Sequence, residues 1–440
     1  MEKNEILEVL LDWNFWKKEL YLGEKREGYL EKAKKFLDSN MVIAIIGVRR
    51  AGKSILMRQI AKSLIDSGEK KENILIVNFE DKRFISPDLK LLDEIYSTYV
   101  QELNPERVFI FLDEIHKVKN WEKWVRTFHE LEKGKVIISG SSSNLLKGEL
   151  ASLLTGRHLD INVFPLSFSE FLKFKKVEIK DKLDLINKKN QIIFLLKEYL
   201  EFGGFPEVVK SSEKKEILIN YFDDIITKDI VERHKIRKIE KLKLLAKFYL
   251  TNISSLITFS SVEKFLKIGK ETVENFSSYL EESFLIFFNY MFHPSLKNQE
   301  KAPRKVYCID NGIANAIGFK VSENFSKLME NVVAIELKKK SLDNPNIEIF
   351  YWKEYGKSEG KEVDFVVKNG FNIDQLIQVT YASNRDEIKE REIDALIKAS
   401  ELLNCKNLSI ITWDYEDELK VNNKKIECIP LWKWLLNTNH

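Results

Sequence analysis

Along the first 140 residues, short apolar runs alternate with longer stretches of helical period. The runs are MVIAIIG (41–47), NILIVNFED (73–81), VFIFLDEI (108–115) and KVIISGSSS (135–143). Each has a core of consecutive apolar residues, as a strand covered on both faces requires. Between them, REGYLEKAKKFLDSN (26–40) reads as a helix ending at a polar turn, and SILMRQIAKSLIDSG (54–68) as a helix closing on Gly68. Strands alternating with helices predict an α/β domain built on a parallel sheet.

The pattern changes after INVFPLSFSEFLKF (161–174), and residues 181–257 are mostly helical in period. SSVEKFLKIG and KETVENFSSYLEESFLIFF then read as two helices joined at a glycine, a helix-turn-helix layout. The strand-like VYCID (306–310) would complete a winged helix. Beyond about 320 a further α/β unit follows: a helix (KLMENVVAIELKKK), strands (IEIFYWKE, EVDFVVKN, QLIQVTY), then helix (REIDALIKASELL) and strand (NLSIITW). The expected domains are 1–175, 176–300 and 301–440.

Composition places the chain among folded proteins: 44% hydrophobic and 32% charged over 440 residues, enough for several cores. A net charge of only +3 neither favours nor excludes nucleic acid, so local clusters must decide. Cys308, Cys405 and Cys428 form no CxxC pair and suggest neither a disulfide framework nor a zinc site. MEKNEILEVLLDWNFWKKEL lacks a signal-type apolar core, and no run approaches the ~18 apolar residues of a membrane span. A cytoplasmic protein without a membrane partner is expected. Trp13, Phe15 and Trp16 suit a helix packed on the first domain, and Trp121 and Trp124 share one helical face.

The chemistry begins at GVRRAGKS: Gly47, Val48, Arg49, Arg50, Ala51, Gly52, Lys53, Ser54. This is a GxxxxGK[ST] loop that follows a buried strand and opens a helix, the context a phosphate loop needs. Backbone groups through Ile55 would cradle phosphates, Lys53 would reach the β- and γ-phosphates, and Ser54 would face Mg²⁺. In FIFLDEI, Asp113 would hold Mg²⁺ through water and Glu114 would orient the attacking water. Ser141, after the VIISG strand, is a candidate γ-phosphate sensor, against the reading of an ordinary serine-rich turn. Arg157 is a candidate arginine finger, against that of an ion-paired surface arginine. Arg49 and Arg50 are further candidate phosphate contacts.

Taken in order, GVRRAGKS, LDEIHKVKNWEKWVRTF, ISGSSSNLLKGELASLLTGR, PLSFSEFL, YLEFGGFPEVV, YFDDIITKDIVERHKIR, RKVYCIDNGIANA, MENVVAIEL and EVDFVV resemble the archaeal and bacterial AAA-type ATPases of the AAA+ superfamily that carry a C-terminal domain of unknown function. The resemblance spans nearly the whole chain. It implies an ATPase domain, a winged-helix middle and a C-terminal fold similar to the PD-(D/E)XK nucleases. The preference for ATP and Mg²⁺ rests on this resemblance; the sequence shows no NKxD-type guanine-reading motif.

A nuclease of that type holds Mg²⁺ on acidic groups and keeps a lysine near the attacking water. The matching positions are Glu330, Asp364 and Gln378, but Thr380 stands where the lysine belongs. Lys361 and Lys368 are the candidate substitutes. A scaffold that binds or merely supports is the alternative to a nuclease.

DNA contact is similarly divided. Residues 258–285 carry three lysines against five glutamates, a poor phosphate-binding face; 228–247 carry eight basic against three acidic residues, and 297–305 four against one. Three functions follow: an ATP-driven switch or motor, on double-stranded DNA or not; a DNA-binding or signalling adaptor with little turnover; and an ATP-regulated nuclease. A homo-oligomer is compatible with each.

Overall fold

In the computed structural model, residues 1–141, 156–319, 324–354 and 360–437 are described. The chain divides into two compact units, Met1–Val163 and Phe164–His440.

The first unit holds a sheet of five parallel strands: β1 (Val42–Ile46), β2 (Ile74–Asn78), β3 (Phe109–Asp113), β4 (Lys135–Gly140) and β5 (His158–Asn162). Their order is β2-β3-β4-β1-β5. Every residue of β1 and β3 is buried, which explains their unbroken apolar runs. Each such Ile, Leu or Phe contributes about 1.5–3 kcal/mol relative to exposure. The fifth strand, HLDIN, carries no such run, because it lies at the sheet edge and is only partly covered.

The opposite edge, β2, is closed by side chains. Asn14 donates its amide to the Ile76 carbonyl (2.9 Å) and accepts from the Ile76 N–H (2.7 Å), as a neighbouring strand would. The Trp16 indole donates to the Ile74 carbonyl (2.8 Å). The N-terminal helix, Lys3–Trp13, ends before these residues. Phe15 and Trp16 are therefore buried as expected, but in an irregular segment rather than on a helix.

The second unit begins with helices, among them Phe168–Phe174, Lys189–Phe202 and Lys214–Asp224, the last running into a π-helical stretch, Ile225–Val231. Next come the helix Ile239–Thr251, β6 (Ser255–Ile257), the helices Phe259–Leu266 and Lys270–Glu282, β7 (Ile286–Met291) and β8 (Arg304–Cys308). β8 pairs antiparallel with both β6 and β7. The expected second helix is thus shorter than its sequence pattern. Phe284 turns left-handed (φ 59°), and Ile286–Met291, rich in β-formers, pairs with β8 instead.

The remaining strands are β9 (Ile347–Lys353), β10 (Glu362–Asn369), β11 (Asn372–Val379), β12 (Leu408–Thr412), β13 (Asp417–Val421) and β14 (Lys424–Pro430). They join β6–β8 in one nine-stranded sheet, order β13-β14-β12-β11-β10-β9-β7-β8-β6, through parallel pairing of β7 with β9. A cut between residues 300 and 301 would fall inside the short helix Leu296–Lys301 and separate the paired β7 and β8. The helix Phe325–Asp343 packs along β8 and β9. Asp310, after β8, accepts from the Gly204 N–H (2.7 Å) and the Gly312 N–H (2.8 Å), which ties the FGGF and IDNG segments together.

Candidate active site

β1 delivers the chain to Gly47, and residues 47–52 turn it into the helix Lys53–Asp66. A Cβ on Gly47 would sit 2.0 Å from the Val163 carbonyl oxygen, so only glycine lets the loop cross the end of β5. Gly52 (φ 97°) has open space where a Cβ would point. The helix starts there without a capping side chain, leaving its first N–H groups available to an anion. Arg50 is also left-handed (φ 70°).

Lys53 is 4% exposed. Its ammonium donates to the Gly47 carbonyl (3.1 Å) and the Val48 carbonyl (3.3 Å), and lies 3.7 Å from Glu114 Oε1. Asp113 closes β3, and Glu114 follows in left-handed conformation (φ 54°). The parallel register sets Leu112 opposite Ile138, hence Asp113 beside Ser139. The Ser139 hydroxyl donates to Asp113 Oδ1 and accepts from the Glu114 N–H (3.0 Å). Burial pushes the Glu114 carboxyl up to about 7, against the pull of Lys53. His116 Nδ1 stands 3.3 Å from Glu114 Oε2. A glycine cradle, an uncapped helix start, a sequestered ammonium and a carboxylate at a strand end suit a Mg²⁺-nucleotide.

The other expected residues fall differently. Arg49 is buried and pairs with Glu80 (3.0 Å), just past β2, while Arg50 is exposed. Ser54 and Ile55 open the helix and are half-buried. Ser141 is buried beyond the end of β4, whereas the serine that touches Asp113 is Ser139. Residues 142–155, which hold the other two serines and most of the following motif, lie outside the described residues.

Arg157 lies away from this chain's own loop. Its carbonyl accepts from the Val42 N–H (2.9 Å), at the start of β1, so it lies one strand length, about 16 Å, from the loop end of the sheet. Its guanidinium pairs with Glu130 (2.5 Å), which Arg126 also holds. A residue the motifs do not flag is Arg26. It donates to the Ala51 carbonyl (3.1 Å) inside the loop and packs 4.5 Å over the Tyr29 ring.

A second cluster forms in the second unit. Glu330, Asp364 and Gln378 come together, and all three are buried. Lys361 and Lys368 do not join them; they pair with Asp394 and Glu348. The lysine present is Lys305 of β8, which by sequence counts only among the basic residues of the wing. It is 2% exposed, and its ammonium lies 3.0 Å from Glu330 Oε1, 2.9 Å from Glu362 Oε1 and 2.7 Å from Asp364 Oδ1. Tyr307 also donates to Glu330 Oε1 (2.8 Å). The Val379 N–H donates to Asp364 Oδ2 (3.0 Å), and the Asp364 N–H to Gln378 Oε1 (3.3 Å). Burial alone would favour a neutral lysine, but Asp364 and Glu330 hold Lys305 charged far above its ordinary range. Burial, with Asp364 beside it, raises Glu330 to about 7. Among the described residues, no group of three or more His, Cys, Asp or Glu side chains is arranged to hold a metal.

Fold and loop together define a P-loop domain of the AAA type. An AAA domain model matches residues 39–172; two domains of unknown function follow, DUF8612 over 193–324 and DUF4143 over 325–434. The chain is 35% identical over 412 residues to the uncharacterized protein MJ1544 of Methanocaldococcus jannaschii, covering 90% of this chain and 88% of that one. It is 32% identical over 422 residues to an uncharacterized protein of Haemophilus influenzae, covering 93% and 98%. The chain therefore belongs to the family of AAA-domain proteins that includes MJ1544. Among solved structures, the Walker-type ATPase PABY2304 of Pyrococcus abyssi aligns with a TM-score of 0.43 and 15% identity, over 67% of this chain and 95% of that one. Among the described residues no helix is long and apolar enough to cross a membrane.

Proposed function

We propose that this protein binds Mg²⁺-ATP at Gly47–Ile55 and hydrolyses it as a nucleotide-driven switch or motor. The observation that carries this reading is the gathering of Lys53, Asp113 and Glu114 in one buried cluster at the carboxyl ends of β1 and β3, where open α/β sheets bind ligands. Lys53 exchanges its two loop carbonyls for phosphate oxygens. Ser54 and Asp113 hold Mg²⁺, which when bound offsets phosphate charge. Ser139 fixes Asp113 and the Glu114 backbone, and ionised Glu114 orients the attacking water. Arg157, remote from its own loop, is suited to a neighbouring copy's nucleotide, so a homo-oligomer belongs to this reading.

The test is ATP turnover with Mg²⁺, with and without double-stranded DNA, for the native protein beside Lys53→Ala and Glu114→Gln. Turnover lost in both variants supports the assignment. ATP binding without turnover in the native protein sinks the motor and favours an adaptor.

We read helices Ile239–Thr251, Phe259–Leu266 and Lys270–Glu282 with β6–β8 as a winged helix, since their order and antiparallel pairing match that layout. One observation favours DNA as its partner. Arg237, Lys238, Lys241 and Lys267 line a shared concavity. The wing itself offers less than its composition suggests, because Lys305 is buried and Arg304 is paired with Glu300 (3.1 Å). The C-terminal half we read as a nuclease-like scaffold that does not cut. Binding of duplex DNA that weakens in Lys238→Glu and Lys241→Glu, with a shallower salt dependence, supports the concavity as the contact.

A further inference from the structure

The cluster of Glu330, Glu362 and Asp364 has the composition of a divalent-metal centre, yet each carboxylate is already engaged by the chain through at least one oxygen, and Lys353 stands 3.6 Å from Glu362 Oε2. Lys305 Nζ reaches one oxygen of each carboxylate at 2.7–3.0 Å. The second oxygen of Asp364 accepts from the Val379 N–H, and Gln378 Oε1, the nearest neutral candidate ligand, accepts from the Asp364 N–H. Glu330 Oε1 accepts from Tyr307 as well as Lys305.

A metal ion would need those same oxygens on the site from which Lys305 draws its three contacts. An ammonium presents three donors in one compact charge, and here each meets a carboxylate. The side chains come from three separate elements: β8, the helix Phe325–Asp343 and β10. What the cation holds together is therefore tertiary, as a structural metal would.

We propose that Lys305 is the resident cation of this acidic cluster: the chain supplies the charge itself and excludes a divalent metal. The proposal deepens the reading of the C-terminal half as a non-cutting scaffold. It assigns the cluster a role, a built-in cross-link between the β8 strand and the helix–sheet layer beyond it, independent of metal supply. Two consequences follow. The nucleotide-free protein takes up no divalent ion at this cluster. Removing the ammonium leaves three clustered carboxylates, which then accept a divalent ion of the Mn²⁺ class.

The experiment titrates Mn²⁺ by its electron paramagnetic signal against the nucleotide-free native chain, Asp364→Asn, Lys305→Met and Lys305→Met/Asp364→Asn, with melting temperatures measured alongside. Native and Asp364→Asn are expected to bind Mn²⁺ equally. Lys305→Met is expected to melt roughly 10 °C lower, because it strands a buried acidic cluster. It should gain one Mn²⁺ that the double variant lacks, and recover at least about half of that fall in melting temperature when Mn²⁺ is added. The inference is overturned if native protein binds one Mn²⁺ more than Asp364→Asn, or if Lys305→Met neither binds nor is stabilised by Mn²⁺. The native-versus-Asp364→Asn comparison needs no folded Lys305 variant.

A plasmid-cleavage assay with Mn²⁺ separates this inference from the non-cutting reading. Metal bound without cleavage removes the inference alone. Metal bound with Asp364-dependent cleavage removes both.

Discussion

Two buried lysines in this protein, Lys53 at the start of a helix and Lys305 within β8, stand beside carboxylates, and their partners differ in kind. Lys53 touches only backbone carbonyls at hydrogen-bond distance, and its nearest carboxylate, Glu114, stands at 3.7 Å. Lys305 is held by three carboxylates at 3.0 Å or less. Carbonyl contacts are neutral and easily exchanged for a phosphate, whereas the cage around Lys305 leaves no competitive position for an incoming anion. A lysine that must work keeps weak partners; a lysine that must hold takes charged ones.

The comparison breaks first at Glu114. Glu114→Gln is expected to lower turnover by about three powers of ten while leaving ATP binding intact, in steady-state and binding assays run together. Stability should move little, since this substitution removes only loose pairings, with Lys53 at 3.7 Å and His116 at 3.3 Å. If instead the variant unfolds, the two lysines are not distinct in kind.

Next in size is the cage. Lys305→Ala is expected to destabilise the second unit by about 3–5 kcal/mol in denaturant titration, because it leaves buried charge uncompensated. Lys53→Ala should cost far less stability and abolish turnover. Equal stability losses would erase the contrast.

The third test uses pH. Glu330 has its folded carboxyl raised to about 7 from an ordinary value of 4.5. A raised folded value means that the folded state holds the proton more tightly, so this contribution is present below about 4.5 and is lost as pH rises through about 7. Relative to Glu330→Gln, the native protein should lose about 3 kcal/mol between those limits. A pH-independent difference would mean that Lys305 and Tyr307 fully offset the burial of Glu330.

Ser139→Ala comes after these, with an expected fall in turnover of about tenfold, as Asp113 and the Glu114 backbone are no longer tied to a common hydroxyl. The smallest effect belongs to Arg157→Ala on melting temperature, which should not change measurably because its pair with Glu130 is exposed. Its effect on turnover should appear only at concentrations where copies of the chain associate.

What is legible in the sequence divides along the same line. The loop is legible because its motif is contiguous: glycines, lysine and serine lie within eight residues, and the apolar strand before them marks the context. Four parallel strands are legible from unbroken apolar runs, and HLDIN is not, because an edge strand needs none. Ser139 hides behind the neighbouring serines 141–143, since only the β3–β4 register tells which serine faces Asp113. Lys305 reads as surface charge because its partners are 25, 57 and 59 residues away along the chain. Nothing local to KAPRKVY distinguishes a caged lysine from a solvated one. Arg157 sits in a plausible motif, but strand direction places it at the far end of the sheet.

The side chains of Asn14 and Trp16 have a practical consequence. The AAA domain model begins at residue 39, yet the free hydrogen-bonding edge of β2 is covered by residues that precede it. A fragment trimmed to the matched domain would expose a row of unmet amides and carbonyls on an apolar strand, an invitation to self-association. Its precipitation would say nothing about the AAA domain's own core. It would report only the loss of the short N-terminal clasp that finishes the sheet.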